Sequence, residues 1–173
     1  MKGSIGKIPL CIKFITKKLG AGMETKEEKE EVSYPVTVLV AGTVGRSGIV
    51  YSKEVLEKAV EEFNKRREGK KSFGEDNQPR TDPWMTPEER MRRNMIIDYS
   101  NVSHEFTLSF VDNAVKAQVK PLGKYKDLIE KMLKEDHISF GVRGEMKYDP
   151  FERKVDELTI YTIDIVLAGK KTT

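Results

Sequence analysis

The chain has 173 residues, of which 34% are charged and 38% apolar, and its formal net charge is +3. This length supports one core with a tail, and the composition excludes a membrane-spanning helix, because the longest apolar runs fall far short of the roughly 20 residues a span needs. The small net charge is not enough to argue for nucleic acid as a partner even with basic clusters at 65–71 and 90–93, and none is predicted; the single Cys11 rules out an internal disulfide framework and a cysteine-based metal site.

Residues 1–22 are basic and intermittently apolar. As a helix they would bring Ile8, Cys11, Ile12, Ile15 and Leu19 onto one face, which suits docking or a membrane surface; a flexible arm is the plainer reading. Lys13, Lys17 and Lys18 interrupt the apolar run, which argues against a secretory signal. Residues 24–31 form a charge run without an apolar face and read as a solvated linker. The expected organisation is an arm and linker over 1–33, a folded domain over 34–168 and a tail over 169–173.

The domain opens with a β-branched run from Tyr34 to Val44, a buried strand by length and residue type. Ser52 then caps a helix whose apolar stripe is Val55, Leu56, Ala59, Val60 and Phe63, with a basic end at Lys65 to Arg67. Residues 68–94 are the least regular part, with Pro79, Pro83 and Pro87; Thr86-Pro87-Glu88-Glu89 starts a short helix to Arg93. Val102 to Phe110 and Ala114 to Val119 alternate around Asp112-Asn113 and predict a β-hairpin. A second amphipathic helix spans Lys124 to Lys134. Two last strands, Ser139 to Tyr148 and Val155 to Leu167, flank an Asp149-Pro150 turn. The expected class is α+β, a mostly antiparallel sheet or barrel with packed helices.

The stretch His137-Ile138-Ser139-Phe140-Gly141-Val142-Arg143-Gly144 concentrates the chemistry. Glycines let backbone amides approach a ligand, and a serine beside an arginine suits an oxyanion-stabilising hydrolase. An ordinary helix-to-strand turn accounts for the same residues. Two histidines without cysteine or carboxylate spacing predict no metal site, and Gly42 to Gly48 lacks the lysine of a phosphate loop. No cofactor is expected.

Four blocks resemble the prohead maturation proteases of tailed bacteriophages, of the T4-like kind. Residues 45–60, from Gly45-Arg46-Ser47-Gly48 through Val55-Leu56-Glu57-Lys58-Ala59-Val60, resemble the family's "N-x-N-G-R-x-Y-P, then L-x-K-A-V" segment. Phe73-Gly74-Glu75-Asp76-Asn77-Gln78-Pro79 resembles "G-E-x-x-H-P". Asn101-Val102-Ser103-His104 resembles "R-V-S-H", and Phe140-Gly141-Val142-Arg143-Gly144 resembles "V-S-S-R-G", with 160–166 similar to "I-T-x-D-x-V". The likeness runs in order from about 34 to 168.

The resemblance implies a small, mostly antiparallel β-barrel ringed by helices, like the herpesvirus assemblins. It implies a serine peptidase that cleaves scaffold and capsid proteins in the immature head, in host cytoplasm. Phage scaffold and major capsid proteins are then the expected partners, with a homo-oligomer as a further possibility. Arg143 and Gly144 match the family's Arg-Gly pair, whose arginine helps form the oxyanion site. Two positions depart. Gln78 stands where the family has histidine, and an amide is no base at useful pH; Gly141 stands where it has the nucleophilic serine.

Two readings follow within the family. In one, peptidase activity is lost and the chain keeps a structural or binding role in head assembly. In the other, chemistry has moved to Ser139 as nucleophile and His104 as base, with Arg143 near the oxyanion; "S-x-G-x-R" resembles the nucleophile block of the HK97-like prohead proteases. Ser139 shares a strand face with Gly141 but lies about 6 to 7 Å along it. A third reading is an unrelated Lys/Glu-rich binding domain.

Overall fold

A computed structural model describes residues 32–45, 48–79 and 82–166. The expected arm (except Val32 and Ser33) and tail lie outside these residues, as does the Arg46-Ser47 pair. Strand β1 (Tyr34–Val40) leads to helix α1 (Lys53–Arg66), the short strand β2 (Ser72–Glu75) and helix α2 (Pro87–Met95). The hairpin β3 (Val102–Val111) and β4 (Ala114–Pro121) follows, then helix α3 (Lys126–Lys134) and the hairpin β5 (Ser139–Asp149) and β6 (Lys154–Val166).

The strands form two antiparallel sheets. One is ordered β1-β4-β3-β2 and the other is the β5-β6 ladder. A single parallel bridge, Asp76 to Ile165, links the end of β2 to β6, and no ladder joins β1 to β5 among the described residues. The closed barrel implied by the resemblance is therefore not formed by the described strands. The free edges of β1 and β5 flank a groove instead of pairing.

Helix α1 forms where the spacing predicts it. The Ser52 side chain accepts from the Val55 N–H, Lys65 and Arg66 occupy the last turn, and Leu56, Ala59, Val60 and Phe63 face inward. Phe63 stacks on Phe106 of β3 with ring centroids 5.7 Å apart, and the stripe joins Ile160, Ile163 and Ile165 of β6 in one core. The β3-β4 turn places Asp112 and Asn113 at φ of 54° and 59°, a left-handed pair that matches the twist of a tight hairpin.

One strand is absent from the sequence expectations: β2, whose Ser72, Gly74 and Glu75 are all buried although two of the three are polar. Helix α2 begins as predicted at a capping box of Thr86 and Glu89, runs two residues further than expected, and buries none of its side chains. Truncating Phe63 to Ala removes both the ring stack and the centre of the α1 stripe. We expect a loss of about 3–5 kcal/mol of unfolding free energy in urea titration.

Candidate functional site

The β2, β5 and β6 strands meet around a buried set of charges. Arg143 on β5 is 4% exposed, and Glu75 on β2 and Asp164 on β6 are both 0% exposed. The Arg143 Nη2 donates to Glu75 Oε1 at 2.8 Å and to Asp164 Oδ1 at 3.1 Å, while Nε faces Asp164 Oδ2 at 2.9 Å in an ion pair without hydrogen-bond alignment. Its other arm, Nη1, donates to the carbonyls of Ile96 at 3.1 Å and Arg93 at 3.4 Å, which close the C-terminal end of α2. Backbone donors complete the set: the Glu75 N–H reaches Asp164 Oδ1 at 3.0 Å and the Asp98 N–H reaches Glu75 Oε1 at 3.0 Å. Arg93, partly exposed, pairs with Glu75 Oε2 at 3.5 Å. Two arginines thus balance two carboxylates, the condition under which buried charge is tolerated.

The two carboxylates are held differently. Burial pushes the Asp164 carboxyl up to about 6, against the pull of the Glu75 N–H and of Arg143. Burial also opposes ionisation of Glu75, but the Asp98 N–H, Arg143 and Arg93 together hold it below the usual carboxylate range.

His104 on β3 is 0% exposed. Its Nδ1 lies 2.9 Å from Ser103 Oγ, and its ring stands edge-on to Phe140 at 5.3 Å and tilted against Phe106 at 5.9 Å. Nε2 is enclosed beside Gly74 and the Ile163 carbonyl without a well-aligned hydrogen bond. A Cβ on Gly74 would collide with both, so glycine is required for this histidine to fit. Burial lowers the His104 pKa to about 4, with the Ile163 carbonyl pulling the other way.

The residues that the sequence nominated separate into three places. Ser139 is half-buried and lines the groove between β1 and β5, a cavity of about 980 Å³ that Tyr51, Gln78, Ile138 and Gly141 also line. His104 lies beneath the groove, covered by Phe140, and successive strand residues point to opposite faces. No hydrogen bond joins Ser139 to His104 among the described residues; the partner of the His104 Nδ1 is Ser103. Arg143, the residue expected near an oxyanion, has both arms engaged with Glu75, Asp164 and the carbonyls of Arg93 and Ile96. His137 is exposed at the end of α3, with Nδ1 3.4 Å from Glu135.

The positions that depart from the motif are neighbours. A Cβ built on Gly141 would lie 3.0 Å from Gln78 Nε2 and 2.8 Å from Val166 Cγ2, and Gln78 Nε2 donates to the Val142 carbonyl at 3.3 Å. The turn carrying Gln78 enters through Asn77 at φ 67° and is tied down by Asn101, which donates to the Asp76 carbonyl. An amide side chain therefore occupies the space beside a residue that has none. Glu75 and Asp164 are the site-forming residues that sequence reasoning passed over; the only signal for them was their place inside two motif blocks.

Removing Arg143 leaves Glu75 and Asp164 buried without their shared cation, and Arg143→Ala is expected to lose about 3–5 kcal/mol in chemical denaturation. The pH dependence has two opposing parts. His104, with its folded pKa depressed, contributes stability that is present above pH 6.5 and is lost as pH falls toward 4. Asp164, with its folded pKa raised, contributes in the other sense: its share is present below pH 3.8 and is lost as pH rises through 6. Asp164→Asn removes the second part alone. Its stability is expected to fall more steeply than the wild type's between pH 6 and pH 4, measured by urea titration at each pH; parallel curves would refute this account.

No family model matches the sequence, and no curated protein matches it. Among solved structures the chain is similar to the capsid assembly protease of bacteriophage T4, with a TM-score of 0.58 and 21% sequence identity over 79% of this chain and 82% of that one. No helix among the described residues is long and apolar enough to cross a membrane. The described fold of two antiparallel sheets is thus similar to that of the T4 capsid assembly protease.

Proposed function

We propose that this chain acts in phage head assembly as a prohead-protease-like domain whose peptidase activity is lost, and that it binds scaffold or capsid protein through the groove between β1 and β5. The observation that carries the reading is the contact of Gln78 with the Gly141 position. The residues that match the family's base and nucleophile adjoin each other, as a catalytic pair must, but one is an amide and the other has no side chain. An amide neither accepts a proton at useful pH nor generates an alkoxide, and Gly141 offers no atom for attack on a carbonyl.

The alternative, an active endopeptidase using Ser139, requires a base within about 3 Å of its hydroxyl. The enclosed His104 speaks against it, and its low pKa does not help: a base that protonates only near pH 4 drives proton abstraction weakly. The groove supplies what a binding role needs. It is open, it has a free strand edge on each side, and its wall of Val36, Val38, Ile138 and Val142 is apolar.

The test is a fluorophosphonate probe together with cleavage assays on phage scaffold and coat proteins. The wild type is expected to be unlabelled and inert, and Gln78→His with Gly141→Ser is expected to become labelled at position 141. Labelling of Ser139 in the wild type, abolished by Ser139→Ala, would establish the alternative instead.

A further inference from the structure

Helix α2 has no fully buried residue, and polar contacts tie it to the domain. Arg143 holds its last carbonyls, Arg93 pairs with Glu75, and Arg90 turns back to donate to the carbonyls of Met85 at 3.1 Å and Pro83 at 3.2 Å. That last contact pins the preceding turn onto the helix and holds Trp84 outward at 90% exposure. Met91 and Met95, one turn apart on the outer face, are 51% and 53% exposed, Ile96 is 59% and Tyr99 is 75%. An ordered helix that buries nothing on its own domain and presents the sole tryptophan beside a methionine pair has the composition of an interface.

The charges on α2 indicate what covers it. Of its five charged side chains, Glu89 closes the capping box and Arg90 and Arg93 have the partners named above. Glu88 and Arg92 have no ion-pair or side-chain hydrogen-bond partner among the described residues, and at 100° per residue they share the outer face with Met91 and Met95. This face is acidic toward the helix start and basic toward its end. A two-fold interface demands a self-complementary patch, and an antiparallel copy of the same face meets that demand: each Glu88 opposes the other copy's Arg92, and the helix dipoles oppose favourably.

We propose that α2 is the seat of a second copy of this chain, with the two helices antiparallel, Glu88 of each against Arg92 of the other, and Trp84 of each covered by the other's Met95 and Ile96. The inference is independent of whether the groove is catalytic. One helix and its flanks give less than the roughly 800 Å² per partner of a standard interface, so association is weak and concentration-dependent.

Sedimentation of the full chain over a concentration series tests this, with Trp84 emission as a second readout. The wild-type average mass is expected to rise toward twice the monomer value as Trp84 emission shifts to the blue. Glu88→Arg alone places arginine against arginine, and Arg92→Glu alone places glutamate against glutamate; each is expected to stay monomeric. An equimolar mixture of the two variants pairs opposite charges only between molecules and is expected to regain wild-type association, whereas the contacts within each helix stay repulsive. A wild type that stays monomeric throughout overturns the proposal, as do single variants that associate like the wild type or a mixture that does not recover.

Discussion

The buried guanidinium of Arg143 is the constraint on which the rest of the structure depends. It lies between two carboxylates from strands that are distant in sequence, and its second arm reaches the end of α2. Without it, β2 and β6 would bring two negative charges together in a site closed to water, with only a peripheral arginine to offset them. With it, four segments are joined by charge-assisted hydrogen bonds in fixed geometry. A lysine would not substitute, since a point charge cannot engage two carboxylates and two carbonyls at once.

This constraint separates support from chemistry. The Arg-Gly pair directly follows the groove-lining Val142 on β5, yet the arginine is buried in the protein. Gly144 explains its own presence on other grounds: β5 is irregular between Arg143 and Gly144, and a Cβ at 144 would meet the Thr159 carbonyl of β6. The pair shapes a strand junction. Gly141, Gln78 and Ser139 line the groove together with Tyr51, Thr43 and Asp136.

The parts legible in the sequence were those governed by local spacing. The α1 stripe, the Asp112-Asn113 hairpin and the helix start at Thr86 each depend on residues a few positions apart, and each forms as read. Strand β2 was missed because four residues with a serine, a glycine and a glutamate carry no strand signal; they are buried only because Asp164 and Arg143, 89 and 68 positions away, satisfy them. The surroundings of Ser139 and His104 were hidden from the sequence for a related reason. Sequence shows that 139 and 141 share a face, but only the packing shows that Phe140, on the opposite face, is the residue that meets His104.

The buried charges and the groove respond differently to acid. His104, whose pKa burial lowers, and Asp164, whose pKa burial raises, are both enclosed beneath the surface. At the groove, Gln78, Gly141 and Ser139 carry no proton that comes or goes between pH 4 and pH 9. A catalytic dyad ties activity to the ionisation of its base, so a protease groove is pH-gated by construction. In this domain His104 and Asp164 lie in the core, so acid acts on its stability through them.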